Sequence, residues 1–274
     1  MDELQLPKLT DFDCILPNNQ TFNQKKSRGS KIIIVGKPGS GKSTLLKALL
    51  KSKSDIVKTG IAMSGSEGAN DFYKEFFPDL FVYDEYDDAV LANVITRQYQ
   101  VIGSKDVDDR DKWMALILDD CADQSSVFRQ QIQKTLFKNG SHYKLLYILC
   151  MQFALDMPLN IRTAVDGVFL FRETNLDSLK LLHTNYGGVV PSFDLFKQLM
   201  ATHTGNYQCL FINNCMQTND WRACVFVCKA EVVDSEWRFG STAFRDWHDQ
   251  RYNPEWDDPK TMLDQAVKEL AAVA

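Results

Sequence analysis

Apolar residues along this chain fall into short runs, most of them unbroken, separated by stretches in which apolar positions recur every three or four residues. The runs at 32–35, 56–63, 80–83, 114–118, 145–151 and 168–171 predict six strands. Those at 145–151 and 168–171 do not alternate with polar residues, which predicts a sheet covered on both faces. Between the runs, Leu45, Leu46, Leu49 and Leu50 share one helical face, as do Val90, Leu91, Val94 and Ile95. Phe128, Ile132 and Leu136 mark a third helix, and Phe193, Phe196, Leu199 and Met200 a fourth. Asp87 and Ser192 stand where N-caps belong. A short helix is expected near 70–77, and 207–212 with 223–230, joined by 213–220, predicts a hairpin. Strands alternating with helices predict an α/β chain of three layers around a mainly parallel sheet. Residues 1–30 are polar and irregular and predict an N-terminal arm, followed by one domain over 31–257. Residues 235–259 show no period. Asp258-Pro259 then opens a C-terminal helix over 258–274, with Met262, Leu263, Ala266, Val267 and Leu270 on one side.

The first run leads into Gly36-Lys37-Pro38-Gly39-Ser40-Gly41-Lys42-Ser43-Thr44. A buried strand, a glycine-rich turn and a helix start at this spacing form a phosphate-binding loop. Glycines let successive backbone N–H groups curl around phosphate oxygens while the helix points its positive end at them. Lys42 reaches the β- and γ-phosphates, and Ser43 holds Mg²⁺. The ligand expected is a nucleoside triphosphate with Mg²⁺.

Such a loop needs a carboxylate for the metal. Met114-Ala115-Leu116-Ile117-Leu118-Asp119-Asp120 supplies an apolar strand ending in acid. Asp119 is the expected Mg²⁺-associated group and Asp120 the one that orients an attacking water, which favours hydrolysis over transfer to a second substrate. Phe81-Val82-Tyr83-Asp84-Glu85 has the same shape, but its acids continue into Tyr86-Asp87-Asp88, as at a solvated helix start. Gln152 directly follows the run at 145–151, where its amide can bond the water or the γ-phosphate.

Composition narrows the setting. The chain has 274 residues, 45% of them hydrophobic and 24% charged, with a net charge of −5. That balance supports a large core and argues against a surface coated in positive charge, though not against a local basic strip. No apolar run approaches the roughly 18 residues that span a bilayer. Met1-Asp2-Glu3-Leu4-Gln5 lacks the features of a signal peptide, so an intracellular protein without membrane insertion is expected. The seven cysteines are read as reduced. Cys209, Cys215, Cys224 and Cys228 lack C-x-x-C spacing. In one strand, Cys224 and Cys228 would stand ~13 Å apart, too far to share a zinc ion.

Together these segments resemble the genome-packaging ATPases of large double-stranded DNA viruses, of the poxvirus type, a branch of the FtsK/HerA superfamily of DNA-pumping motors. Beyond the loop, the resemblance rests on Leu118-Asp119-Asp120-Cys121, Met151-Gln152-Phe153 with Leu155 and Pro158, Ile161-Arg162-Thr163-Ala164-Val165-Asp166 and Phe169-Leu170-Phe171-Arg172. Tyr83-Asp84-Glu85-Tyr86 and Arg97-Gln98 match that family's intervening segment, which disfavours Asp84 and Glu85 as the acidic pair. The resemblance implies a P-loop NTPase fold of the RecA/FtsK-like, ASCE type, with a C-terminal hairpin and helix. It also implies Gln152 as sensor and a homo-oligomeric ring with an arginine acting in trans, assigned to Arg162 with Arg129 and Arg172 as alternatives. The implied partners are double-stranded DNA gripped without regard to sequence, and capsid or membrane-associated viral proteins. The implied location is the viral assembly site in the host cytoplasm, or the virion. Lys25, Lys26, Arg28, Lys134 and Lys138 are candidate phosphate contacts. Ser141 stands in Asn139-Gly140-Ser141-His142 where related sequences tend to carry arginine. A P-loop kinase, a GTP-dependent switch and a helicase or segregation motor are the other readings. The switch would want an Asn-Lys-x-Asp motif, and none is found.

Overall fold

In the computed structural model, residues 4–16, 27–67, 71–121, 127–153 and 157–254 are described. The 258–274 helix, Lys25, Lys26 and Leu155 lie outside them. The strands are β1 (Ser30–Val35), β2 (Thr59–Ser64), β3 (Val82–Tyr83), β4 (Met114–Asp119), β5 (Leu145–Met151), β6 (Gly167–Leu170), β7 (Gln208–Asn213) and β8 (Val225–Lys229). The helices are α1 (Lys42–Ser52), α2 (Asp88–Gly103), α3 (Gln131–Asn139), α4 (Leu159–Arg162), α5 (Leu176–Asn185), α6 (Phe193–His203), α7 (Trp221–Cys224) and α8 (Thr242–Asp249).

One eight-stranded sheet runs β3-β2-β4-β5-β1-β6-β7-β8. All pairs are parallel except β6–β7 and β7–β8. Strand β5 lies between β1 and β4, so the loop after β1 and the acids ending β4 are separated by the width of one strand. Because residues alternate across a strand, each strand feeds two cores. Ile33, Val35, Leu116, Leu118, Tyr147 and Leu149 face a layer containing Leu91, Val94, Leu136, Leu182, Phe196 and Leu199 of α2 to α6. Ile32, Ile34, Ile117 and Ile148 face Leu45, Leu46, Leu49 and Leu50 of α1 and the aromatic side chains of Tyr73, Phe76, Phe77 and Phe239. These are the two outer layers that the unbroken apolar runs require.

Several expected bounds shift for local reasons. Ile56 and Val57 belong to the turn that closes α1, their N–H groups donating to Lys53 O, and β2 starts at Thr59. Pro78 opens a 3₁₀ turn at Asp79–Phe81, leaving Val82 and Tyr83 as the strand. Residues 71–77 turn helically without becoming a continuous helix, Phe77 N donating to Tyr73 O at 2.7 Å. In the hairpin, Asp220 caps α7 by accepting from Arg222 N, so Cys224 ends a helical turn and not a strand. The ~13 Å separation argued for Cys224 and Cys228 therefore does not apply, because it assumed a single strand. The caps Asp87 and Ser192 accept from Ala89 N and Leu195 N.

The expected arm is packed against the domain over its described part. Leu9 N donates to Val227 O at 2.9 Å and Val227 N to Pro7 O at 2.8 Å, covering the exposed edge of β8. Phe12, Ile15 and Leu16 are buried in the α1-side core. Residues 235–254, without period in the sequence, dock by aromatic contacts. Phe239 stacks on Phe77 with ring centroids 4.4 Å apart, and Phe244 stacks on Phe81. Among the described residues, no helix is long and apolar enough to cross a membrane.

Candidate active site

Backbone geometry makes the loop. Gly36 N donates to Met151 O at 3.1 Å, and a Cβ on Gly36 would lie 2.6 Å from Ser40 Oγ and 2.7 Å from Phe171 Cβ. Only glycine fits there. Gly39 and Gly41 have φ of 72° and 106°, which turn the chain into α1. Lys42 is buried and arches back, its Nζ donating to Gly36 O at 2.5 Å and Lys37 O at 3.4 Å. The hydroxyl-bearing Ser43 and Thr44 are exposed on the first turn of α1. The Ser40 hydroxyl is buried behind the loop and has no partner. Lys37 pairs with Glu173 at 2.7 Å on the outer side.

A cleft of about 460 Å³ runs over the loop. Lys37, Pro38, Gly39, Gly41, Lys42, Ser43 and Thr44 form its floor, and Asp119, Asp120 and Gln152 line it as well. Asp119 ends β4 in register with Ser64, buried to 9% exposure. Its Oδ2 accepts from the Tyr73 hydroxyl at 2.9 Å. Burial pushes the Asp119 carboxyl up to about 6; the Tyr73 bond and Lys42 oppose this, while Asp120 and Glu67 add to it. Asp120 has φ 50°, the left-handed conformation, with its N–H donating to Cys150 O. This turn lets adjacent carboxylates leave the strand end differently. Gln152 Nε2 donates to Asp120 Oδ2 at 2.7 Å.

The donor set suits Mg²⁺. A hydroxyl on Ser43 and a carboxylate on Asp119 are hard oxygen ligands on one cleft, and Mg²⁺ is usually held by one or two such groups plus phosphates.

Asp84 and Glu85 lie elsewhere, exposed beyond β3 at the sheet edge, with β2, β4 and β5 between them and β1. Arg162 ends α4, half-buried, and donates to Asn185 Oδ1. Arg172 and Arg129 are exposed, Arg172 beside the outer side of the loop with Lys37 and Glu173. Arg28, Lys134 and Lys138 are exposed. Gly29 N donates to Ser141 O, which sets Arg28 and Ser141 at the N-terminal ends of β1 and β5, opposite the cleft.

Five lining residues carried no signal in the pattern: Ser64, Ser66, Phe72, Tyr73 and Tyr207. Tyr73 is fully buried, and its backbone N–H, with that of Lys74, donates to the buried Glu67 carboxylate. The Ser-Gly-Ser-Glu stretch at the end of β2 was legible only as a strand end. Tyr207 reads as the first residue of a strand, but β7 begins one residue later.

A family model described as "Poxvirus A32 protein" matches residues 19–239. The chain is 43% identical over 244 residues to the uncharacterized protein 088R of Invertebrate iridescent virus 3, covering 87% of this chain and 91% of that protein. It is 42% identical over 258 residues to the uncharacterized protein 075L of Invertebrate iridescent virus 6, covering 93% and 99%. Among solved structures, the genome packaging NTPase B204 of Sulfolobus turreted icosahedral virus 2 in complex with AMP superposes with a TM-score of 0.52. That match has 16% identity and covers 77% of this chain and 100% of B204. At that identity the likeness concerns the fold, which is that of a P-loop NTPase.

Proposed function

This chain belongs to the poxvirus A32 protein family, and from that premise we propose that it is an ATP-hydrolysing motor that moves double-stranded viral DNA into a capsid. The observation that carries the reading is the convergence on one cleft of the phosphate loop, Asp119 and the Asp120–Gln152 pair, 2.7 Å apart. A kinase needs the loop and the metal carboxylate. It does not need a second acid fixed by a neutral amide where the γ-phosphate ends. The likeness to B204, a genome packaging NTPase, supports the same reading.

The chain's own residues divide the work. Backbone N–H groups of Gly39, Gly41, Lys42, Ser43 and Thr44 cradle the phosphates, and Lys42 exchanges its bonds to Gly36 O and Lys37 O for phosphate oxygens. Ser43 and Asp119 would hold Mg²⁺, which would supply charge neutralisation to the triphosphate. Gln152 occupies Asp120 Oδ2, fixing the carboxylate so that Oδ1 accepts the proton of the attacking water. Gln152 also senses loss of the γ-phosphate. Subunits form a ring in which Arg162 acts across the interface, with Arg172 and Arg129 as alternatives. The ring docks on capsid or membrane-associated viral proteins at the assembly site in the host cytoplasm or in the virion.

A pump must grip any sequence, so it contacts phosphates and not base edges. Random-sequence duplex should stimulate ATP turnover, and stimulation should fall steeply with salt as counterion release loses its advantage. The assay is steady-state turnover with and without duplex at low and high salt, beside a panel of small phosphoacceptors. Turnover indifferent to DNA but dependent on one acceptor would replace the motor with a kinase.

A further inference from the structure

The cleft has two ends, and only one is assigned. Asp119, Asp120 and Gln152 stand at the C-terminal ends of β4 and β5, on one side of β1 in the sheet. A triphosphate lying on the loop with its γ-phosphate toward them carries its nucleoside the other way, toward β6 and β7. There the cleft is lined by Tyr207. This residue immediately precedes β7, in which Leu210 pairs with Leu170 at the C-terminal end of β6, so it stands on the same rim of the sheet as the loop.

Tyr207 is unusual in two respects. Its side chain is 69% exposed, although an aromatic of this size is ordinarily at least half covered. Its backbone and that of Asn206 are both left-handed, with φ of 61° and 52°, in a turn closed by Gln208 N donating to Gly205 O at 3.0 Å. Two consecutive non-glycine residues in that region cost conformational energy, and such outliers concentrate where a ligand is held. The turn carries the ring to the loop: a Cβ built on Gly41 would come within 3.5 Å of it.

We propose that Tyr207 is the platform on which the nucleobase of bound ATP stacks. The inference rests on the ATPase reading above and adds the base subsite to it. Every base offers a π-face, and base–aromatic stacking is strong enough to matter for affinity without requiring a hydrogen-bonding partner.

The test compares equilibrium binding of ATP with that of inorganic tripolyphosphate, both with Mg²⁺, by calorimetry on the wild type, Tyr207→Ala and Tyr207→Phe. Tyr207→Ala should weaken ATP roughly tenfold, within the range for loss of one stacked base, and leave tripolyphosphate binding as in the wild type. Tyr207→Phe should bind ATP like the wild type. Equal weakening of both ligands would assign Tyr207 to the shape of the loop and overturn the proposal. So would unchanged ATP binding in Tyr207→Ala, or a Tyr207→Phe protein as weak as Tyr207→Ala. Failure of the wild type to bind ATP would sink the ATPase reading itself, a result distinct from ATP binding that does not depend on Tyr207. Because the side chain is exposed, a matching thermal melt of Tyr207→Ala is expected and verifies that the variant is folded.

Discussion

Asp120 holds its left-handed φ of 50° directly after a six-residue strand, and the bond from Gln152 fixes its carboxylate there. Aspartate is among the few residues that tolerate this conformation, so Asp120→Asn keeps both the backbone and a hydrogen-bonding side chain. The loss is confined to the acid. Turnover should fall roughly 10²-fold or more, the range of positioned acid–base catalysis, while ATP binding stays near wild type. Glu85→Gln, at the exposed sheet edge, should leave turnover unchanged. Rapid-quench turnover and calorimetric binding on the two variants check this, and a dead Glu85→Gln beside an active Asp120→Asn would reverse the assignment. At this scale the sequence was informative for loop and acids because their chemistry demands fixed residue types at fixed spacing. It was silent on Tyr73, whose hydroxyl reaches Asp119 across 46 residues of chain.

Elements are held by packing more than by propensity. The turn run 71–77 has no continuous helix, yet Tyr73, Phe76 and Phe77 are almost wholly buried. What covers them comes from the far end of the chain: Phe239 stacks on Phe77 and Trp237 on Phe76, and Phe239 N donates to Phe76 O at 2.8 Å. Tyr73, in the same cluster, carries the bond to Asp119. Phe239→Ala should therefore cost about 3–5 kcal/mol, the usual loss for a buried Phe truncated to Ala. In a domain of this size that lowers the melting temperature by about 10 °C. Calorimetric melting measures it, and a shift under about 2 °C would mean that the 235–254 segment does not hold the turn run in place. The aromatic residues of 235–254 are plain in the sequence, but their partner is not, because ring stacking leaves no period along the chain.

For the whole molecule, the question is what a second subunit adds. Within one chain the Arg162 guanidinium donates to Asn185, so a role in trans requires it to exchange that bond for the neighbour's γ-phosphate. Arg162→Ala should bind ATP and assemble but turn over poorly, because charge developing in the transition state goes unneutralised. Mixing it with Lys42→Ala subunits should recover part of the activity, since some interfaces then join an intact loop to an intact arginine. Turnover across mixing ratios, with assembly followed by light scattering, decides the matter. No recovery at any ratio would return Arg162 to a role inside its own chain.

The sequence by itself determined the layered α/β class, the phosphate loop, the acid-ended strand and the hairpin. Each follows from a local rule: apolar periodicity, glycine spacing, or a run ending in carboxylates. The arm was legible as irregular, but the packing of its described residues 4–16 was not, because Pro7 and Leu9 meet Val227 through backbone bonds that carry no sequence mark. Only the tertiary structure decided that β5 lies between β1 and β4, bringing Gln152 to Asp120, and that an antiparallel β7 sets Tyr207 on the rim of the loop. The reason is physical. Strand order is fixed by how two cores close around one sheet, and that is a property of side chains far apart in the chain.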